Sequence, residues 1–217
     1  MTHPPIHPTT QLPKLTAIVD VDVAQRAGWT PRDLAQAFLD GGARLLQLRA
    51  KQLSSAVFLP LADEIVQLGR AFDADVIVND RVDIARLSAA AGVHVGQDDL
   101  PPAAARMLLG DEAIVGFSTH SPEQIAAAVR ESVTYVAVGP IFGTRTKDTG
   151  YGPVGLELVR HAAQQSGALP IVAIGGITLE TAASVLRAGA AGVAVISDLL
   201  AGGDPTARVR DYLRDLA

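Results

Sequence analysis

Two threonines and a lysine within four residues, Thr144, Thr146 and Lys147, follow a short apolar run that closes in Gly139-Pro140. Small hydroxyls and an ammonium at that density suit phosphate oxygens, which accept several charge-assisted hydrogen bonds at once. Nearby glycines let the backbone approach such a ligand closely. Two later apolar runs close in the same manner, at Gly175-Gly176 and at Ser197. Earlier runs end in a different set: Gln47, Arg49 and Lys51; Asn79 and Asp80; His94, Gln97, Asp98 and Asp99; Ser118 and His120. Cations and amides of this kind suit a diphosphate. Carboxylates held at one point repel unless a cation lies between them. The chain has no cysteine and no histidine cluster, so oxygen ligands favour Mg²⁺ that keeps waters and takes substrate phosphate.

Each of these residues also has a plainer reading. Asp80 could cap the helix that follows it, and Asp99 could be a loop acid. His94 sits within an apolar run, where a hydrogen-bonded core histidine is the commoner case. His120 stands just before a helix cap, with a structural contact and an acid–base role both open. Gly175-Gly176 could simply turn the chain.

The elements that must position these residues alternate along the sequence. Short apolar or β-branched runs fall at 15–19, 45–48, 76–78, 92–95, 113–117, 135–138, 171–174 and 192–196, separated by alanine- and leucine-rich stretches of helical spacing. Helix starts are marked by Thr30-Pro31, by Ser121-Pro122-Glu123-Gln124 with Gln at the capping-box position, and by Asp204-Pro205. Gly189 marks a helix stop. Eight strands, each followed by a helix, predict an α/β fold, a single (β/α)₈ barrel whose active site lies in the loops after the strands. A doubly wound sheet is the rival and usually has fewer strands. Sequential strand order makes the third and fourth strand ends neighbours, so Asp80 and Asp99 can face one point. One side of the mouth, from Arg49 through Lys147, suits a diphosphate. The other, from Thr144 through Gly176 to Ser197, suits a monophosphate, at the place after strands seven and eight where barrels often keep one. Two phosphorylated ligands in one mouth suggest group transfer with diphosphate as the leaving group.

Composition agrees. At 217 residues, with 48% apolar residues and 20 glycines, the chain suits one tightly packed barrel. Residues 1–13, rich in Pro, Thr and His, read as a disordered leader, and 14–217 as the barrel catalytic domain. A net charge of −5 argues against general nucleic-acid binding. No apolar run is long enough to cross a bilayer and the start carries no secretory pattern, so no membrane partner and a soluble, cytoplasmic protein are expected.

At seven motifs the chain resembles the thiamine-phosphate synthase family, from about Leu15 to the C-terminal helix. They are Gln47-Leu48-Arg49-Ala50-Lys51, Val78-Asn79-Asp80-Arg81, His94-Val95-Gly96-Gln97-Asp98-Asp99, Gly116-Phe117-Ser118-Thr119-His120, the stretch from Gly139-Pro140 to Thr144-Arg145-Thr146-Lys147, Ala173-Ile174-Gly175-Gly176-Ile177, and Val195-Ile196-Ser197. The resemblance implies a Mg²⁺-dependent transferase joining hydroxymethylpyrimidine diphosphate to a thiazole phosphate by a dissociative route. By position, Gln47, Leu48, Arg49, Ala50, Lys51, Asn79, Ser118 and Lys147 would bind the pyrimidine diphosphate. Asp80 and Asp99 would hold Mg²⁺. Thr144, Arg145, Thr146, Gly176, Ile196 and Ser197 would bind the thiazole phosphate. Arg49, Ser118 and Lys147 would form the catalytic set. The chain departs from the family pattern at Ala50, where an acid is frequent, and at Arg81, where a second acid often sits beside the metal. Thiazole tautomerases share the barrel and the Ser-x-His motif, so His120 does not separate the two families; Asp80, Asp99 and Lys147 together favour the synthase. A catalytically silent paralogue that binds thiazole or thiamine phosphate is the third reading. A homo-oligomer is compatible with any of them.

Overall fold

Because parallel strands are buried on both faces, their apolar runs are nearly continuous, and each run here becomes one strand. The computed structural model describes residues 12–143 and 150–217. Its strands are β1 (Leu15–Asp20), β2 (Leu45–Arg49), β3 (Asp75–Asn79), β4 (Gly92–Val95), β5 (Ile114–Thr119), β6 (Tyr135–Val138), β7 (Ile171–Ile174) and β8 (Gly192–Val195). They form a closed parallel barrel in sequence order, with β8 paired back onto β1. The expected (β/α)₈ architecture is therefore the one observed.

The helices are α1 (Val21–Arg26), α2 (Pro31–Asp40), α3 (Ser55–Ala71), α4 (Val82–Leu87), α5 (Pro102–Leu109), α6 (Pro122–Ala128), α7 (Gly155–Gln165), α8 (Leu179–Arg187) and α9 (Pro205–Asp215). Two connections depart from one helix per strand: α1 precedes α2, and a 3₁₀ segment at Ser197–Gly203 precedes α9. The caps act as the sequence suggests. Thr30 accepts from Asp33 N at 3.0 Å, and Asp204 from Ala207 N at 3.0 Å. Ser121 accepts from Gln124 N, but the Gln124 side chain reaches one residue further back, to His120 N at 2.7 Å. That bond ties the α6 start to the β5 end.

The period of two sorts the strand residues into two layers. Alternate positions, Val19, Leu46, Leu48, Val78, Val93 and Val95 among them, pack outward under the helices. The intervening ones, Ile18, Leu45, Ile77, Ile114, Tyr135, Ala137, Val172 and Ala194, fill the barrel together with Leu12. Leu12 precedes β1 and so closes the N-terminal end of the barrel. Residues 1–11 lie outside the described residues. Further along the inward rows, towards the strand ends, the side chains turn polar: Gln47, Asn79, His94 and Ser118 are all buried. They make the floor of the C-terminal mouth. Among the described residues no helix is long and apolar enough to cross a membrane.

Candidate active site

The cationic half of the mouth starts at the ends of β1 and β2, where Asp20 and Arg49 are register partners. Their side chains form an ion pair. Asp20 is 2% exposed and also caps α1, accepting from Val23 N at 2.9 Å. Arg49 Nε is buried without a hydrogen-bond partner among the described residues. A buried donor left unpaired is costly, and at a strand end that faces a mouth it suits an anionic ligand.

Two residues on, Lys51 Nζ lies 2.5 Å from Asp80 Oδ2. Asp80 holds a left-handed backbone, φ 64°, uncommon for a residue with a β-carbon. Its N–H donates to the carbonyl of His94 at 2.7 Å, which clips the β3 end to β4. Burial pushes the Asp80 carboxyl above its ordinary pKa, Lys51 opposes that, and a hydrogen bond and repulsion from Asp99 add to it. Asp99 in turn accepts from Gly96 N at 2.8 Å. Asp80 does not cap α4, which starts after Arg81 with no side-chain cap. Arg81 is also turned elsewhere: its guanidinium bonds the Asp83 carboxylate and Ser55 Oγ. Its charge is therefore compensated away from the acids.

Two carboxylates in mutual contact beside a lysine are a donor set for a hard cation. Among the described residues no group of three or more His, Cys, Asp or Glu forms a metal cage. A cation held by Asp80 and Asp99 would complete its shell with water and phosphate, which is Mg²⁺ behaviour rather than Zn²⁺ behaviour.

On the floor, Ser118 Oγ is 2.7 Å from His94 Nε2, and its carbonyl accepts from Gln97 Nε2 at 2.6 Å. His94 takes the core reading: it is 4% exposed and hydrogen-bonded through both ring nitrogens. His120 makes structural contacts, its Nδ1 with the Gly139 carbonyl and its ring stacked on Tyr151 at 4.0 Å between centroids. Leu48 packs outward with the helix layer and Ala50 packs against it. Neither side chain joins the inward group; they space Gln47, Arg49 and Lys51 by the strand period.

The second half of the mouth is a cavity of about 430 Å³ between β5 and β8, lined by Ser118, His120, Gly176, Ile196 and Ser197 among others. Gly175 and Gly176 have φ of 98° and 65°. A Cβ on Gly176 would lie 2.7 Å from Gly143 O and 2.9 Å from Phe142 atoms, and one on Gly175 would meet Pro140. These glycines thus let the β6 and β7 loops touch, joined by Phe142 N to Gly175 O at 3.0 Å. A substituent at Gly176 would therefore strike loop backbone rather than open space. Thr144, Arg145, Thr146 and Lys147 lie outside the described residues.

Sequence reasoning missed three features. Asp20 ends an apolar run and has the inward parity of Ile18, a signal that was there. Tyr135 is a buried tyrosine, whose hydroxyl must find a partner. The third is an anchor: Asp198, next to Ser197, accepts from Leu179 N at 3.1 Å, Arg208 at 2.8 Å and Tyr212 OH at 2.7 Å. It ties the 3₁₀ segment to α8 and α9.

A closed parallel barrel with a cation-and-carboxylate cluster and a glycine-lined cavity sharing one mouth defines a (β/α)₈ protein whose mouth suits phosphorylated small molecules. Its family is narrower than that. The chain belongs to the thiamine monophosphate synthase family, whose model matches residues 17–199. It is 45% identical over 210 residues to the thiamine-phosphate synthase of Koribacter versatilis, covering 95% of this chain and 97% of that one. It is 44% identical over 192 residues to that of Chloroflexus aurantiacus, covering 88% of each. The solved thiamine phosphate pyrophosphorylase of Pyrococcus furiosus superposes with a TM-score of 0.83 at 30% identity, over 94% of this chain and 95% of that one.

Proposed function

We propose that the chain acts as a Mg²⁺-dependent thiamine-phosphate synthase. It joins 4-amino-2-methyl-5-hydroxymethylpyrimidine diphosphate to a thiazole phosphate and releases pyrophosphate. The C–O bond of the pyrimidinylmethyl diphosphate breaks with its electron pair leaving on pyrophosphate. The thiazole nitrogen then supplies the pair that forms the new C–N bond. No protein nucleophile is required, so catalysis rests on stabilising the departing charge.

The observation that carries this reading is the cluster Lys51–Asp80–Asp99 beside the orphaned Arg49 Nε. In this reading Arg49 and Lys51 bind diphosphate oxygens, and Asp80 and Asp99 hold Mg²⁺. When bound, the ion neutralises charge on the leaving pyrophosphate. Lys147 adds a further cation from the β6 loop. Gln47, Asn79 and Ser118 orient the pyrimidine half on the floor. Gly176, Ile196 and Ser197 offer donors to the thiazole phosphate, with Thr144, Arg145 and Thr146 completing that pocket. Chain 14–217 works as one catalytic barrel.

The test is to incubate the protein with both phosphorylated halves, with and without Mg²⁺, and follow products by mass spectrometry. Thiamine phosphate and pyrophosphate in equal amounts, only with Mg²⁺ present, are expected. Pyrophosphate released without thiamine phosphate, or turnover indifferent to Mg²⁺, would refute the reading.

A further inference from the structure

His94, Gly116 and Tyr135 occupy one register row across β4, β5 and β6. The middle position carries no side chain, and Tyr135 reaches across it to His94. A Cβ on Gly116 would lie 2.2 Å from Tyr135 Cζ, 2.3 Å from its hydroxyl and 2.6 Å from His94 Nδ1. Tyr135 OH is 2.8 Å from His94 Nδ1, and His94 Nε2 is 2.7 Å from Ser118 Oγ. The two rings are offset-stacked at 5.6 Å between centroids. Tyr135 is 2% exposed, His94 4% and Ser118 7%, so the hydrogen-bonded chain is buried beneath the mouth with Ser118 at the end that lines the cavity.

From this row we infer that Tyr135 and His94 are positioning residues that fix the direction of the Ser118 hydroxyl, so that Ser118 donates its proton to substrate. Counting donors and acceptors along the row sets the direction. A phenol is a better hydrogen-bond donor than acceptor, and burial holds the Tyr135 phenol above its ordinary pKa, so it keeps its proton to give. The phenol proton then goes to His94 Nδ1. A neutral imidazole that accepts at Nδ1 carries its own proton at Nε2 and donates it to Ser118 Oγ. With that oxygen already accepting, the Ser118 proton turns to the cavity. The reverse chain would leave Ser118 facing substrate as an acceptor, unsuited to a diphosphate oxygen or a ring nitrogen.

The inference rests on Ser118 facing substrate as proposed above, and its tests are chosen to fail separately from that proposal. The first needs no substrate: long-range ¹H–¹⁵N correlation on the ¹⁵N-histidine-labelled full chain reads the His94 tautomer. A protonated Nε2 with an unprotonated Nδ1 is expected; the opposite tautomer, or an imidazolium at neutral pH, overturns the inference. The second is a double-mutant cycle. Tyr135→Phe keeps the ring and removes the hydroxyl, and should lower kcat/KM for the pyrimidine diphosphate by about three- to tenfold, the worth of one hydrogen bond. In a Ser118→Ala background the same change should cost nothing further. A loss that persists undiminished in that background would make the tyrosine merely structural and sink the idea. If the wild-type protein forms no thiamine phosphate, the functional proposal falls while the tautomer measurement still decides this one.

Discussion

Replacing Asp80 by asparagine and, separately, by alanine divides what its carboxylate does from what its backbone demands. Both variants lose the charge and the 2.5 Å contact with Lys51. Lys51 is 42% exposed, so that pair contributes little to stability. Both also remove a partly buried carboxylate that Asp99 repels. Only alanine must hold φ 64° without a side chain suited to it. The left-handed region costs an ordinary residue about 1–2 kcal/mol, and asparagine visits it routinely. For a chain of this size about 1 kcal/mol moves Tm by roughly 2–4 °C. Asp80→Asn should therefore melt at or slightly above the wild type, and Asp80→Ala about 2–8 °C below Asp80→Asn. Turnover should fall by about two to three orders of magnitude in both, the usual cost of losing one preorganised electrostatic group. Thermal scans and steady-state pyrophosphate release at saturating Mg²⁺ read the two effects independently. Equal melting of the two variants would refute the backbone argument. Near-normal turnover in Asp80→Asn with unchanged Mg²⁺ dependence would refute the metal assignment.

Arg49→Met should lower stability by about 3–5 kcal/mol as well as activity, because it strands Asp20 as a buried charge; unchanged melting in a denaturant titration would show that the pair is dispensable. Gly176→Ala should lose at least about 1 kcal/mol through its left-handed φ and the approach to Gly143 O, and weaken both ligands together; a stable variant impaired only for thiazole phosphate would contradict the loop-packing account. Lys147→Ala should lower kcat more than it raises KM for the diphosphate, since charge accumulates as pyrophosphate departs. A change confined to KM would make Lys147 a docking residue only.

The barrel was legible because its strands are buried on both faces and its helices begin at capped prolines. Those signals are local, and Thr30, Ser121 and Asp204 act much as the sequence suggests. What escaped was relational. Asp20 looked like the tail of an apolar run until register set it opposite Arg49. The His94–Gly116–Tyr135 row depends on three separate strands lining up, which no single segment encodes. Gly116 read as part of a motif, although the reason for a glycine there is the tyrosine crossing it. Gly175 and Gly176 were recognisable as special, but their cause lies in the β6 loop that packs on them. The carboxylate pair was the exception. Sequential strand order alone brings the β3 and β4 ends together, so Asp80 and Asp99 could be expected to meet.

The central claim is that one mouth holds two phosphorylated ligands in separate pockets. It is tested most directly by titrating thiazole phosphate into the protein with and without saturating pyrophosphate and Mg²⁺, a pair that cannot react. Separate pockets predict saturable, one-to-one thiazole-phosphate binding that survives, or tightens, with pyrophosphate in place. Competitive displacement, with apparent thiazole-phosphate affinity falling in proportion to pyrophosphate, would contradict the claim.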